Sequence, residues 1–449
     1  MTTSTAHNAS STMDAHLAAF AGLASDLPGA GIGWIDELRR DALDRFAHSG
    51  LPHRRLEAWK FTGLTALDQN AFAPSGGATA PAPQLPNIAT PETCAAQLVF
   101  VDGRLAPELS RFAHHSAGVT ITTLAAALAE DPDLVEGHIS TTKDAAGALW
   151  DLNAAFMADG AVIRLEPGAK VDEPIALCFV ATGGEMDTAH LRNLIVLGDD
   201  AQARIVETYI NAGDGEAPCF TNTVSDAALG QGATLTHVRI QAQGAQTVHT
   251  GRAVVDIAAG AEYNSFALAL GGRISRQETD AVFSGPGGKA RLYGAYLGRL
   301  RQHIDHTTRI DHAHPDCVTE ESFRGVLDDR AHGVFQGLIR VAPHPVGTDA
   351  RQKNQALLLS DYAVADTKPE LEILADDVKC AHGATVGDLD SDALFYLMSR
   401  GIPETTARGL LITGFIGELI DGFGDDALAR HLHQWVSHWQ DRDGGDSDD

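Results

Sequence analysis

The sequence predicts a mainly β protein with α-helical segments at both ends. Its 449 residues include 45 glycines and only 6% aromatic residues, which is more typical of a turn-rich β protein than of a helical bundle. Between residues 97 and 341, short apolar or alternating runs are interrupted by Gly and Asp, a pattern that indicates strands. Near both termini, apolar residues recur at helical spacing instead.

A loose repeat in the central region narrows the choice of β fold. It consists of LEPGAKV, LGDDAQARIV, LGQGATLTHV, IAAGAEYNSF and FSGPGGKARL, aligned at Ala169, Ala201, Ala233, Ala261 and Lys289. The aligned positions are 32, 32, 28 and 28 residues apart. A turn at nearly constant spacing, followed by an alternating strand, is typical of the stacked coils of a β-helix. From the residues alone, a β-sandwich is almost as well supported.

The N-terminal region is predicted to hold two helices after a disordered start. Residues 1–15 are small and polar, which favours disorder. Residues 15–48 have helical periodicity, and Pro28 with the following GAGIG run separates the two helices. Residues 71–93 are rich in Pro, Ala and Gly, which predicts a linker.

Near the C-terminus the pattern changes from strand to helix. Asp390 or Ser391 can begin a helix that Gly401 ends, and Pro403 is suited to the first position of the next helix. The expected boundaries are a helical domain at 1–70, a linker at 71–93, a β core at 94–370 with a helical insertion near 124–156, a C-terminal helical domain at 371–440 and an acidic, solvated tail at 441–449.

Charge and composition exclude several functions. The net charge of −27 argues against nucleic-acid binding, which needs clustered Lys and Arg. No apolar run has the 18 or so residues of a membrane span, and the N-terminus lacks the basic start and apolar core of a signal peptide. The five cysteines are far apart and form no CxxC motif, which fits a reducing, cytoplasmic location.

Cys380 and His382 form a candidate reactive pair at the end of a predicted strand. Residues two apart on a strand point to the same face, so both side chains could reach one metal ion or one sulfur species. The simpler interpretation is a buried, inert cysteine beside a hydrogen-bonded histidine.

The same stretch carries a family resemblance. KCAHGATVGDLDSDALFYLMSRGIP resembles the C-terminal signature of the SufB/SufD family, scaffold proteins of the SUF iron–sulfur assembly system. HGATVG is similar to the SufD branch, because SufB has glutamate at the position of Gly383 and cysteine at that of Asn354. The family's N-terminal pattern, R-x-E-x-W-[KR]-[YF]-T, matches at Arg55, Glu57, Trp59, Lys60 and Thr62. The simpler interpretation of this segment is that Trp59 and Phe61 dock it onto the core.

The resemblance implies a fold and a function. It favours a right-handed parallel β-helix core, flanked by helical domains, over the sandwich. It implies a non-catalytic scaffold of the SufBCD complex that pairs with SufB through the β-helix, with a possible homodimer when SufB is absent. Cys380 and His382 would help a transient iron–sulfur cluster to form at the SufB interface, and the isolated chain would bind no cofactor stably. The C-terminal helices would dock the SufC ATPase near Phe395, Tyr396, Arg400, Gly401, Ile402 and Pro403.

A segment dense in potential ligands, residues 302–315, also has the family's shape. It matches Q-x-x-D-x-x-T-x-[IV]-x-H-x-x-P at Gln302, Asp305, Thr308, Ile310, His312 and Pro315. Its spacings fit no trusted metal motif, so hydrogen bonding between coils is the simpler expectation.

Two other classes of function remain as alternatives. A carbohydrate-active β-helix enzyme would use paired carboxylates such as Asp305 and Asp311. A stand-alone metalloenzyme would use the histidine-rich segment. The helical ends, the lack of a secretion signal and the HGATVG motif oppose the first alternative.

Overall fold

The computed structural model describes residues 11–74, 83–112, 117–142, 144–183, 187–213, 215, 217–343 and 345–441. The first ten residues of the predicted disordered start, residues 75–82 of the predicted linker and residues 442–449 of the predicted tail lie outside these ranges. The helices are α1 (Thr12–Leu23), α2 (Gly33–Ser49), α3 (Thr65–Gln69), α4 (Leu124–Glu130), α5 (Ala148–Phe156), α6 (Ser391–Ser399), α7 (Glu404–Gly422) and α8 (Asp426–Asp441).

The strands are β1 (Ala73–Pro74), β2 (Ala96–Val101), β3 (Arg104–Leu105), β4 (Val119–Thr123), β5 (Ala161–Leu165), β6 (Ile175–Ala181), β7 (Asp187–Leu197), β8 (Gln202–Asn211), β9 (Phe220–Leu229), β10 (Thr234–Gln241), β11 (Val248–Ile257), β12 (Glu262–Ala269), β13 (Ile274–Phe283), β14 (Lys289–Gly298), β15 (His303–His312), β16 (Val318–Leu327), β17 (His332–Val341), β18 (Thr348–Leu358), β19 (Val364–Ile373) and β20 (Val378–Gly387).

From β5 onwards, successive strands alternate between two sheets that face each other. The odd sheet has the order β19-β17-β15-β13-β11-β9-β7-β5-β4, and the even sheet β20-β18-β16-β14-β12-β10-β8-β6-β2-β3. Pairing is parallel from β5 to β19 and from β6 to β20. Each coil therefore contributes one strand to each sheet, which confirms the β-helix and makes the sandwich alternative wrong.

The two ends of this tube differ. At the N-terminal end, β2 pairs with β3 and β4 pairs with β5, both antiparallel. At the other end, β19 and β20 are the terminal strands of their sheets. We call this second end the open end.

The sequence repeat corresponds to a ladder at one corner of the tube. Ala201, Ala233 and Ala261 precede paired strand positions and are fully buried. The predicted fifth member, Lys289, is wrong by one residue, because Lys289 pairs with Glu262 and Gly288 therefore takes the corner position. A Cβ at Gly288 would lie 2.7 Å from the Phe283 ring, so a residue without a side chain disrupts the alanine pattern that the alignment followed.

The tube is filled by inward-facing apolar side chains from both sheets, as the alternation of each strand requires. Members of this cluster include Ile205, Leu235, Tyr263, Phe283 and Phe335, all 2% exposed or less. Buried polar groups interrupt the cluster, and Glu207 is one of them. His237 Nε2 lies 3.0 Å from its carboxylate, and the Tyr209 hydroxyl donates to it at 2.6 Å.

The N-terminal helices and the insertion cover the outer face of the odd sheet. α2 and α5 pack around a cluster that contains Phe46, Trp59 and Phe156, together with Phe220 and Ile274 from the sheet. The predicted insertion near 124–156 contains α4 and α5, with single 3₁₀ turns between them.

The C-terminal helices cover the outer face of the even sheet. Ile416, Leu432 and Trp435 of α7 and α8 pack on Val238 and Phe266 of the sheet. The strands continue to Gly387, past the expected boundary at 370, because the segment before α6 completes a last coil. No helix in the described ranges is long and apolar enough to cross a membrane.

Helix boundaries at the C-terminal hairpin follow the local capping chemistry. The Asp390 carboxylate accepts from the backbone N–H groups of Asp392 and Ala393, so Asp390 is the N-cap of α6. Gly401 has a φ of 84°, the left-handed conformation that ends a helix. Pro403 is the N-cap of α7 and Glu404 is its first residue, so this helix begins one position after the predicted start at Pro403.

Candidate functional site at the open end

The open end presents two strand edges and an exposed set of side chains. β19 and β20 each pair with one neighbour, so the other edge of each strand keeps free backbone N–H and C=O groups. Val364, Leu374 and Val386 are 47%, 57% and 46% exposed here. Unpaired edges with exposed apolar side chains are suited to contact with another protein.

Cys380 and His382 lie on β20, at this end. Cys380 pairs with Ala350 and His382 with Gln352, so both side chains continue inward-facing columns of the even sheet. Cys380 is half-buried against the apolar interior, whereas His382 is exposed because no further coil covers it. The two predicted site residues therefore share one face, with the thiol deeper than the imidazole.

The environment of Cys380 favours the neutral thiol. Burial raises the thiol pKa, and the nearby Asp349 carboxylate raises it further, while the backbone of Ala350 partly offsets both effects. A thiol with a raised pKa is a weak nucleophile and ligand until a cation displaces its proton.

Two donors from this chain cannot hold a metal ion or a cluster by themselves. Within the described ranges, no three His, Cys, Asp or Glu side chains come together in a way that could hold a metal ion. Thiolate and imidazole are both iron ligands, so the donor types fit an iron–sulfur species whose other ligands come from elsewhere.

Beneath His382 lie two buried polar residues that the sequence analysis did not single out. Gln352 on β18 and Glu321 on β16 are in register with His382, each one coil deeper than the last, and both are 2% exposed. The Gln352 amide N–H donates to the Glu321 carboxylate. The signal that could have identified them is a polar residue at an inward-facing position of each strand.

Asn354 occupies the column next to this pair. Its amide accepts from the Tyr296 hydroxyl at 3.2 Å and donates to Thr367 at 3.1 Å. The resemblance places a SufB cysteine at this position. In this chain the position holds a buried asparagine whose amide oxygen and nitrogen both have hydrogen-bond partners.

The N-terminal motif lies on the outer face of the odd sheet. We call residues 57–62 the strap, because it crosses four strands. Trp59 is 1% exposed, its indole N–H donates to Ala146 O at 2.8 Å, and the Arg276 guanidinium of β13 lies 4.0 Å from its ring centre. The Thr62 hydroxyl donates to the buried Asp305 carboxylate of β15.

The strap continues to the edge of the sheet. Gln336 of β17 donates to Ala58 O at 3.3 Å, and Lys368 of β19 lies 2.6 Å from the Glu57 carboxylate. Arg55 and Lys60 are exposed. The buried residues of the motif pack the strap against the sheet. Phe61, which was expected to dock the segment together with Trp59, is only half-buried.

Residues 302–315 connect the strap to the tube and do not form a metal site. Asp305 pairs with Arg276 as well as with Thr62. His306, Thr308 and His312 lie on the opposite, inward face of the same strand, since side chains alternate.

The remaining motif residues of this segment bond locally. His312 Nε2 lies 2.8 Å from the Thr319 hydroxyl, and the Gln302 side-chain oxygen Oε1 accepts from the Arg299 backbone N–H at 3.0 Å. The Pro315 backbone oxygen accepts from the Gly287 N–H. Of these three contacts, the one between Gly287 and Pro315 joins two coils, as expected, and the other two lie within a coil.

The carboxylates suggested for a glycan-cleaving enzyme are poorly placed. Asp305 and Asp311 are six residues apart on one strand, a separation of about 20 Å at about 3.3 Å per residue. Paired catalytic carboxylates lie about 5–10 Å apart.

The residues predicted to dock an ATPase lie around the turn between α6 and α7. Phe395 and Tyr396 are 73% and 57% exposed, and the Arg400 guanidinium lies 5.0 Å from the Tyr396 ring centre. Gly401 and Pro403 are exposed, and Ile402 is half-buried.

A cavity of about 880 Å³ lies between residues 137–142 and 144–147 on one side and the outer face of the odd sheet on the other, and it extends along the sheet as far as β19. Its charges are largely paired, as Arg252 is with Glu278 at 2.9 Å and with Asp280. Neither Cys380 nor His382 lines it.

Comparison with known proteins agrees with this architecture. Residues 179–415 match the family model described as SUF system FeS cluster assembly, SufBD core domain, and residues 27–177 match the SufBD protein N-terminal region. The chain is 31% identical over 409 residues to an iron–sulfur cluster assembly SufBD family protein of Synechocystis sp., covering 89% of this chain and 90% of the relative.

Two further relatives have more specific names. Iron–sulfur cluster assembly protein SufD of Escherichia coli is 30% identical over 394 residues, covering 87% of this chain and 89% of the relative. SufD of Bacillus subtilis is 29% identical over 324 residues, covering 70% and 72%. The chain described here is therefore a member of the SufBD family of SUF iron–sulfur cluster assembly proteins.

Proposed function

We propose that this chain is a non-catalytic scaffold subunit that pairs with a SufB partner through the open end of its β-helix. The observation that carries this proposal is the position of Cys380 and His382 on β20, the last strand of its sheet, beside an unpaired edge. A partner strand added there would bring its own ligands to the same face. The two relatives named SufD support the SufD role over the SufB role.

In this arrangement the chain contributes positioning and donor atoms, while the nascent cluster is its cargo. Cys380 supplies a sulfur ligand once a metal ion displaces the thiol proton, and His382 supplies a nitrogen ligand on the same face. The partner supplies the other ligands and buries the site, which excludes water from it. The chain has no turnover of its own, acts in the cytoplasm and forms a homodimer through the same edges when the partner is absent.

We assign the turn between α6 and α7 to docking of the SufC ATPase. Phe395 and Tyr396 form an exposed aromatic pair on α6, and exposed aromatic side chains beside an arginine are typical of interface anchors. Dimerisation of the ATPase would then move the two scaffold subunits relative to each other and expose the site.

Co-purification of the chain with its SufB and SufC, followed by anaerobic cluster reconstitution, tests the proposal. We expect a stable three-component complex whose cluster yield falls in the Cys380→Ala variant. The matched control is Cys178→Ala, which removes a fully buried thiol on β6, near the opposite end of the even sheet. An unchanged yield in Cys380→Ala would leave the scaffold role and reduce Cys380 to a packing residue. Failure to form any complex would reject the scaffold role itself.

A further inference from the structure

Gln352 holds a buried hydrogen-bond acceptor without a donor. Its side-chain oxygen Oε1 has no hydrogen-bond partner, although the residue is only 2% exposed. The other end of the same amide is bonded, because Nε2 donates to Glu321. An unpaired buried acceptor is destabilising, so a structure that retains one needs a reason for it.

The free oxygen lies one coil beneath His382. Gln352 and His382 are register partners, so their backbones are about 5 Å apart and their side chains point the same way. Glu321, one coil deeper, binds Nε2 and so determines which end of the amide remains free. The oxygen and the nitrogen of an amide are bonded to the same carbon and point in different directions. Because Nε2 points to Glu321, Oε1 points away from it.

Room for this amide is provided by a glycine on the facing sheet. A Cβ at Gly337 would lie 2.0 Å from Gln352 Nε2, so any larger residue on β17 would displace the amide. The φ of Gly337 is not positive, so the backbone conformation does not require a glycine here. The close approach of the Gln352 amide does.

We propose that Gln352 is a positioning residue for His382. Glu321 fixes the amide, and the exposed imidazole, which is not bonded to Oε1 in this structure, turns about its side-chain torsions so that Oε1 accepts its N–H. Histidines that bind metals almost always donate their second ring N–H to a carbonyl or carboxylate, which sets the tautomer and the ring orientation. The inference deepens the proposed function and rests on it, because a positioned imidazole has its use at an assembly site.

The test reads the tautomer of His382 directly, at one fixed pH of about 8, in the full chain labelled with ¹⁵N-histidine. The His382 signals are identified as those missing from His382→Ala. The ¹⁵N shifts of the two ring nitrogens report which one carries the proton and whether that N–H is bonded. We expect the wild-type pair of shifts to differ from free histidine and to move to free-histidine values in Gln352→Leu.

Two variants sharpen this result. The exchange variant Gln352→Glu, Glu321→Gln keeps an amide donor on one residue and a carboxylate acceptor on the other, so it retains an acceptor beneath His382 and is expected to keep the wild-type pattern. Gln277→Leu makes the same chemical change at another buried glutamine, whose amide atoms are both unpaired, and it is expected to leave His382 unchanged. Identical His382 shifts in wild type and Gln352→Leu would overturn the proposal.

Cluster reconstitution in the three-component complex separates this inference from the proposed function. We expect Gln352→Leu to slow cluster assembly about tenfold or more, as loss of outer-shell partners usually does. If the tautomer changes in Gln352→Leu but His382→Ala assembles clusters fully, the assembly role of the pair fails and the positioning contact stands. If His382→Ala abolishes assembly while Gln352→Leu alters neither readout, the positioning inference fails.

Removing Gln352 alone leaves Glu321 without its donor and could unfold the last coils. The double variant Gln352→Leu, Glu321→Leu avoids this, because replacing both partners by apolar groups is often nearly neutral for stability. The same loss of the wild-type tautomer is expected in the double variant. A wild-type tautomer there would contradict the proposal.

Discussion

At the scale of single residues, Glu321 is a titratable group that folding keeps in an unusual state. Burial raises its pKa to about 7, and the Gln352 amide and the Thr308 hydroxyl only partly offset this effect. Between the ordinary pKa of 4.5 and about 7, the folded protein binds the proton that the unfolded chain has lost. The free energy of unfolding therefore falls as the pH rises through this window, by roughly 3 kcal/mol in total.

We expect the Glu321→Gln variant to lack this contribution. Its stability relative to wild type should rise between pH 5 and pH 7.5, as measured by urea unfolding of both proteins at each pH. Using the difference between the two proteins cancels the titration of all other groups. A constant difference across this range would show that Glu321 has an ordinary pKa.

Trp59 carries the largest packing energy in the strap. It is 1% exposed, it donates one hydrogen bond, and it stacks on a buried guanidinium. Trp59→Ala should lower the free energy of unfolding by about 3–5 kcal/mol, the usual cost for a buried aromatic. Lys60→Ala, at an exposed neighbouring position, should change it by less than about 0.5 kcal/mol. A loss below 1 kcal/mol in Trp59→Ala would mean that the strap is not held by this residue.

At the scale of elements, α6 and β20 present the two surfaces assigned to different partners. A charge in place of an exposed apolar side chain should block docking without affecting the core. Phe395→Glu should abolish co-purification of SufC and retain SufB, whereas Val386→Asp should do the reverse. Each variant serves as the control for the other. Loss of both partners in either variant, with the protein still folded, would contradict the separation of the two surfaces.

The sequence predicted element types better than element limits. Capping chemistry is local, so Asp390 and Gly401 could be read directly from the sequence. The extent of the last coil could not, because the strand at Val378–Gly387 is defined by pairing with β18 and not by its own pattern. The corner at Gly288 was missed for a similar reason, since contact with Phe283 decides it.

The candidate site was predicted in part. Cys380 and His382 follow from two-residue spacing on a strand, which needs no tertiary information. Gln352 and Glu321 could not be connected to them, because 30 and 61 residues separate these positions from His382 along the chain and only the coil register brings them into one column.

At the scale of the whole molecule, buried neutral histidines make the fold sensitive to acid. Burial lowers the pKa of six histidines to about 3 or 4: His16, His249, His303, His306, His312 and His431. Below pH 6.5 the unfolded chain binds protons at these positions and the folded chain does not. Stability is therefore present above pH 6.5 and is lost as the pH falls towards 4.

We expect the urea midpoint to fall steeply from pH 7 to pH 5, before most carboxylates titrate. Each histidine contributes up to about 1.4 kcal/mol per pH unit in this range, and the opposite trend from Glu321 offsets only one of them. His306→Gln should reduce the change in unfolding free energy per pH unit by the contribution of one histidine. A midpoint that stays level between pH 7 and pH 5 would show that these histidines are hydrated or charged in the folded protein.

The strap also bears on how the stack of coils loses its structure. In a solenoid each coil touches only its neighbours, so the terminal coil normally frays by itself. Here Glu57 is tied to Lys368 on the outermost strand, while Trp59 is anchored three strands deeper, on β13. For the last coil to open, either the strap must leave the sheet or the ion pair between Glu57 and Lys368 must break. The order of the partner-facing edge therefore depends on a segment more than 300 residues away. A protease cut just before the strap would then loosen the far end of the tube first.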